Sequence, residues 1–121
     1  MIRMYGIPNC DTVKKAKAHL FQLGVNDLEF VNLKTVIPTE ELILQWKRAF
    51  EGQWPVNTKG PTYRKIKEKF EAANDKAKIK ILQENTSAIK RPILEVHGKI
   101  VSVGYNETKY SQAIRLKNKD D

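Results

Sequence analysis

A single cysteine sits in Gly6-Ile7-Pro8-Asn9-Cys10-Asp11-Thr12, where a short apolar run gives way to a helical pattern. The first amides of a helix have no partner within it and point out of its start. With the helix dipole they favour negative charge there, so a cysteine at this turn is set up as a thiolate nucleophile. Thr12 offers a hydroxyl to the sulfur, and Lys14 and Lys15 add positive charge a turn further on, opposed by Asp11. The other reading of a lone cysteine is a small buried apolar group; the polar neighbours Asn9, Asp11 and Thr12 argue against it. With one Cys in the chain, any disulfide must take its second sulfur from another molecule. A disulfide scaffold and a four-cysteine zinc site are excluded.

Two more segments carry chemistry. In Ile89-Lys90-Arg91-Pro92-Ile93 an X-Pro bond precedes an apolar run. It is either a cis junction, presenting Arg91 on one side of a strand, or a trans Pro opening an edge strand with Arg91 in solvent. In the first case the guanidinium fork stabilises a thiolate and can take a carboxylate or oxyanion. The polar loop Asn57-Thr58-Lys59-Gly60-Pro61-Thr62-Tyr63-Arg64 leads into a helix and is either an anion site or only a loop. His19 and His97 read as ordinary surface or turn residues. There is no metal-ligand spacing, phosphate loop or Gly-x-Ser-x-Gly elbow.

The elements that must position these residues follow from apolar spacing. Ile2 to Gly6 reads as a strand, and Val13, Ala16, Leu20 and Leu23 as one face of a helix that starts at Asp11 and ends at Gly24. Leu28 to Leu33 reads as a second strand. Thr39 caps a helix carrying Leu42, Ile43, Trp46, Ala49 and Phe50 on one stripe. Gly52 to Pro61 is a loop. Tyr63, Ile66 and Phe70 mark another helix, and Asp75 to Glu84 a third. Ile93 to Val96 and Ile100 to Val103 form a hairpin around His97-Gly98. Asn106 caps a last helix bearing Tyr110, Ala113 and Ile114. A parallel first pair joined by a helix implies a right-handed crossover, and the closing hairpin is antiparallel. The expected fold class is α/β: a mixed sheet with a helical insertion between the second and third strands.

The 121 residues suit one domain, large enough to bury a core without staples, with 40% hydrophobic and 30% charged residues. The net charge of +8 either has no specific role or favours anionic partners: nucleic acid, an acidic protein surface or an anionic small molecule. No apolar run approaches the roughly 18 residues of a membrane span. The N-terminus shows no signal-peptide pattern, so the expected compartment is the cytoplasm, with no membrane partner. No groove-reading motif points to sequence-specific DNA binding.

Taken in order, Tyr5-Gly6-Ile7-Pro8-Asn9-Cys10-Asp11-Thr12-Val13-Lys14-Lys15-Ala16, then Asn57-Thr58-Lys59-Gly60 with Tyr63-Arg64-Lys65, then Ile89-Lys90-Arg91-Pro92-Ile93-Leu94 resemble the arsenate reductase ArsC family. Within it the chain is most similar to the YffB-like branch, related to the Spx/MgsR regulators. The likeness runs from Ile2 to about Ile114. It implies a thioredoxin-like fold in one domain, 1–114, with the helical insertion at about 39–85; the charged residues 115–121 read as a disordered tail. It implies a nucleophilic thiolate at Cys10 and a cis peptide at Pro92, with Arg91 beside the sulfur. Arsenate reductases of the family hold the oxyanion with three arginines. Arg91 matches one, Lys59 is the basic residue in the loop where the second falls, and the strand Ile100 to Val103, where the third belongs, carries no basic residue. Spx regulators often use a Cys-x-x-Cys pair; here the second position is Val13.

The YffB-like branch implies a glutathione-dependent thiol reductase, which suits one cysteine and a basic site, since glutathione carries two carboxylates. The expected function is a monothiol oxidoreductase with no bound cofactor or metal and with glutathione as co-substrate. Cys10 forms a mixed disulfide or adduct that glutathione or a glutaredoxin-like protein resolves. Thr12 and Arg91 stabilise the thiolate or an oxyanion, and Asn57, Lys59, Lys90, Arg91 and Pro92 form the substrate or glutathione site. Two alternatives stay open: an Spx-like regulator that binds RNA polymerase, and an authentic glutaredoxin-coupled arsenate reductase.

Overall fold

The computed structural model describes residues 1–120. The elements run β1 (Ile2–Gly6), α1 (Asp11–Gln22), β2 (Glu29–Asn32), α2 (Glu40–Ala49), α3 (Pro61–Ala72), α4 (Asp75–Glu84), a 3-10 turn (Thr86–Ala88), β3 (Ile93–Val96), β4 (Lys99–Val103) and α5 (Glu107–Asp120). The sheet order is β2-β1-β3-β4, with β1 and β2 parallel and the other two pairs antiparallel. This is the expected mixed sheet, with α2, α3 and α4 inserted between β2 and β3.

Alternation along the central strands decides which helices cover which face. Ile2 and Met4 of β1 and Leu94 and Val96 of β3 pack with Val13, Ala16 and Leu20 of α1 and Tyr110 and Ile114 of α5. Tyr5 and Ile93 face the other way, onto Ile43 and Trp46 of α2, Tyr63 and Phe70 of α3, and Ile79, Ile81 and Leu82 of α4. The insertion is therefore one whole layer of the domain. Arg3 reinforces the register: it pairs with Glu29 at 3.1 Å and Glu95 at 3.2 Å, its neighbours on either side of β1. Such part-exposed pairs add only ~0–1 kcal/mol each; the register rests mainly on the apolar alternation.

Element ends follow from local chemistry. Thr39 Oγ1 accepts a hydrogen bond from Leu42 N at 3.1 Å, capping α2. Past α1, Gly24 takes φ +92°, which costs an L-residue more. His97 and Gly98 both take positive φ, as a tight two-residue hairpin of type I′ demands.

One boundary is corrected. The residues from 115 onward, expected as a disordered tail, continue α5 as far as Asp120. They include Arg, Leu and Lys, all good helix formers, and no Gly or Pro, so polarity alone does not end the helix. Asp121 lies outside the described residues. None of the described helices is long and apolar enough to cross a membrane.

Trp46 is fully buried, edge-on to Tyr5 at 5.2 Å, and among the described residues its indole Nε1 has no partner. Trp46→Ala is expected to cost about 3–5 kcal/mol in urea unfolding. Trp46→Phe keeps most of the apolar volume and removes an unpaired donor, so it is expected to cost less than half as much.

Candidate active site at the strand ends

The pairing of β1 with β3 brings the chemistry-bearing segments together. Tyr5 lies opposite Ile93, so the turn after Gly6 meets the chain entering β3. The Arg91–Pro92 peptide there is cis. Pro92 is buried, and its carbonyl accepts a hydrogen bond from Gly104 N at 2.8 Å, drawing the exit of β4 alongside. The insertion joins from the far side: Asn57 N donates to Ala88 O and Lys90 N to Pro55 O, each at 2.8 Å, around a Val56–Ile89 bridge.

Cys10 is the N-cap residue of α1, extended at φ −123°, ψ 123°, partly exposed, with its carbonyl accepting from Lys14 N. Helix α1 can start so close to β1 because Gly6 lacks a side chain: a Cβ there would lie 3.0 Å from Val13 Cγ2. Val13, three residues after Cys10, is fully buried in the core.

Beside this helix start opens a polar cleft of about 440 Å³ lined by Thr12, Asn57, Lys90, Arg91, Ser102 and Lys109, together with Phe50 and the segment 103–106. It contains two lysines and an arginine but no Asp or Glu. Arg91 is anchored by one arm of its guanidinium, Nη1 donating to Ser87 O at 2.7 Å and Ile89 O at 3.2 Å. These carbonyls belong to the 3-10 turn and its exit, and Arg91 draws its place from them. Its Nε is buried without a partner, and among the described residues Nη2 has none either. Nε and Nη2 form the edge that takes a carboxylate or oxyanion in bidentate fashion. Nε is sealed from solvent as the side chain stands, so a bidentate ligand must turn the guanidinium slightly. Lys90 crosses Gly104, where a Cβ would lie 2.6 Å from its Cε, and its ammonium sits 6.0 Å from the Phe50 ring centroid.

The expected site residues thus divide. Thr12, Asn57, Lys90 and Arg91 share the cleft. Cys10 stands at the helix start two residues from the Thr12 wall and does not itself line the cleft. Among the described residues neither Thr12 nor Arg91 makes a hydrogen bond to the Cys10 sulfur. Pro92 contributes through its backbone. Lys59 is exposed and lies outside the cleft lining: the turn closed by Gly60 N on Asn57 O faces Asn57 inward and leaves Lys59 on the outside of the loop. The cleft residues not expected there are Phe50, Ser102, Val103, Gly104, Tyr105, Asn106 and Lys109. Phe50, Val103 and Asn106 were legible only as parts of a helix stripe, a strand and a cap; the signal that could have flagged Lys109 is a cation in the first turn of a helix, where the dipole disfavours it by about 0.3–1 kcal/mol.

His19 is also not an ordinary surface residue. It is half-buried, with Nδ1 2.9 Å from Tyr105 Oη and Nε2 3.3 Å from Ser111 Oγ. Its ring is parallel to Tyr110, whose fully buried phenol is pushed well above the usual range by desolvation. This cluster ties α1 to α5 and holds Tyr105 at the cleft. Helical periodicity placed His19 on α1 but could not show which distant residues meet it. His97 is exposed in its turn, its Nδ1 3.1 Å from the N-terminal nitrogen. Among the described residues no group of His, Cys, Asp and Glu could hold a metal ion.

A partly parallel sheet flanked by α1 and α5 on one face, with a cysteine capping the helix after its first strand, defines a thioredoxin-like α/β protein. The ArsC family model matches residues 5–113, and the chain belongs to that family. It is 34% identical over 125 residues to an uncharacterised protein of Haemophilus influenzae, covering 93% of this chain and 98% of that one. A solved protein named YffB superposes with a TM-score of 0.81 at 35% identity, over 94% of this chain and 99% of its own. A possible arsenate reductase from Streptococcus mutans gives 0.72 at 32% identity, over 88% and 92%. The chain falls in the YffB-like branch of the family.

Gly104→Ala and Gly98→Ala both place an L-residue at positive φ and are each expected to cost about 1–2 kcal/mol. The flexible end of Lys90 can swing aside at Gly104, so the two stabilities should be alike.

Proposed function

We propose that this protein is a glutathione-dependent thiol oxidoreductase working through Cys10 alone. The observation that carries the reading is the cleft beside the Cys10 helix start: cationic, free of carboxylates, with one arm of Arg91 anchored and its Nε–Nη2 edge unpartnered. Membership of the ArsC family supports thiol chemistry at the cysteine. Such a cleft suits a small thiol bearing carboxylates.

The reaction balances as two exchanges. The Cys10 thiolate attacks the glutathione sulfur of a mixed disulfide RS–SG. The S–S bond of the substrate breaks, Cys10–S–SG forms, and RS⁻ leaves to take a proton. A second glutathione thiolate then attacks the glutathione sulfur of Cys10–S–SG, regenerating the Cys10 thiolate and releasing oxidised glutathione. The net reaction, RS–SG plus one reduced glutathione giving RSH plus oxidised glutathione, moves the disulfide from the substrate to glutathione: the substrate sulfur is reduced as the second glutathione sulfur is oxidised. A glutaredoxin-like dithiol can replace glutathione in the second step. No second protein cysteine is needed, which fits the buried Val13 at the place where a resolving partner would stand.

The arsenate-reducing alternative is less well supported. Of the three arginines it calls for, only Arg91 is here: β4 carries no basic side chain at 100–103, and Lys59 lies outside the cleft.

The test is intact mass after incubation with oxidised glutathione across pH, then with reduced glutathione. One adduct on Cys10, formed faster than on a free cysteine thiol under the same conditions and reversed by thiol, is expected. Cys10→Ser should take up none while keeping the same unfolding midpoint. Arg91→Lys keeps the charge but loses the fork and should slow adduct formation about tenfold or more. An adduct that forms no faster than on a free cysteine thiol would overturn the enzyme reading and turn attention to binding of RNA polymerase.

A further inference from the structure

We propose that Lys109, at the α5 corner of the cleft, is a second anion-binding residue that sets the specificity of the site for a thiol with two carboxylates. This rests on the glutathione reading above and deepens it: Arg91 takes one carboxylate, and Lys109 the other.

The cleft places Lys109 with Lys90 and Arg91 in about 440 Å³, with no acidic residue in its lining. Positive charges gathered without a counter-charge repel one another, and a bound anion relieves that repulsion. Lys109 also stands in the first turn of α5, where its charge opposes the dipole. Neither placement serves stability, and both serve an anion. The acid of the same turn, Glu107, does not neutralise it in the cleft: it lines a separate depression with Lys15 and His19. Asn106 Oδ1 caps α5 through Lys109 N at 2.9 Å, which fixes the backbone that carries the lysine. Tyr105, held by His19, fixes the residue before that cap. The corner is thus braced from two sides.

The two ends of the cleft also differ in kind. Arg91 offers a planar fork and suits bidentate capture. Lys109 is a point charge on a flexible stem and suits a carboxylate whose position varies. A ligand with a single carboxylate fills one end and leaves the other charged and empty. Lys59, the basic residue that the family resemblance nominated for an anion, lies outside the lining, so Lys109 supplies the cation that the loop does not.

The test is calorimetric binding to the unmodified chain and to Lys109→Met, with Lys59→Met as the control. The probes are S-methylglutathione, which cannot exchange with Cys10, and two forms of it that each lack one carboxylate: the glycine amide, and the analogue without the γ-glutamyl carboxylate. Lys109→Met is expected to weaken S-methylglutathione about tenfold, while Lys59→Met leaves it within a factor of two. One single-carboxylate probe should bind the unmodified chain and Lys109→Met alike, and the other should keep the tenfold loss. Equal binding of S-methylglutathione to Lys109→Met and the unmodified chain overturns the inference and leaves the function reading standing. So does a tenfold loss with both single-carboxylate probes, which would make Lys109 a source of general field. Failure of the unmodified chain to bind S-methylglutathione at all removes the function reading itself, and this inference with it.

Discussion

The antiparallel pairing of β1 with β3 is the constraint on which the rest depends. Hydrogen bonding between these two strands sets Tyr5 opposite Ile93, so the turn that leads to Cys10 and the Arg91–Pro92 junction meet at one end of the sheet. The parallel pairing of β1 with β2 sends the chain through α1 and so puts the helix start at that same end. A slip of one residue in β3 would turn Leu94 and Val96 away from α1 and α5 and send Ile93 away from the insertion. The apolar alternation of a few strand residues thus brings the Cys10 turn and the Arg91–Pro92 junction to one end of the sheet, although they are about eighty positions apart in the chain.

Charge organises the site more than hydrogen bonds do. Nothing among the described side chains bonds the Cys10 sulfur, and the cations stand in the neighbouring cleft rather than against it. The Cys10 side chain makes no cap hydrogen bond to the helix-start amides either, so the charged groups of the site are those that line the neighbouring cleft.

The helical insertion has two tasks that share residues. It buries one face of the sheet through Ile43, Trp46, Phe70 and Leu82, and it delivers Phe50 and Asn57 to the cleft. The exit of its last turn supplies the carbonyls that anchor Arg91. The packing that makes the domain stable therefore also orients the guanidinium. On the opposite face, the His19 cluster plays a similar part for the segment that leaves β4.

Much of this was legible in the chain. Apolar period separated strands from helices, Thr39, Gly24 and His97-Gly98 marked ends and turns, and the place of Cys10 between a strand and a helix start was plain, because each of these signals is local. Polarity misled at residues 115–120, where helix propensity continues α5 without an apolar stripe to announce it. What no local signal could carry was company. Lys59 and Lys109 are alike as residues, and only the folding of the chain sets one outside the cleft and the other within it. His19 looked like a surface residue until Tyr105 and Ser111 met it from the far end of the chain. The sequence by itself determined the elements and the place of Cys10 at the start of α1, since these depend on neighbours a few residues apart. The tertiary structure decided which charges and hydroxyls gather in the cleft beside that helix start, since their distances depend on strand pairings that close across nearly the whole length of the chain.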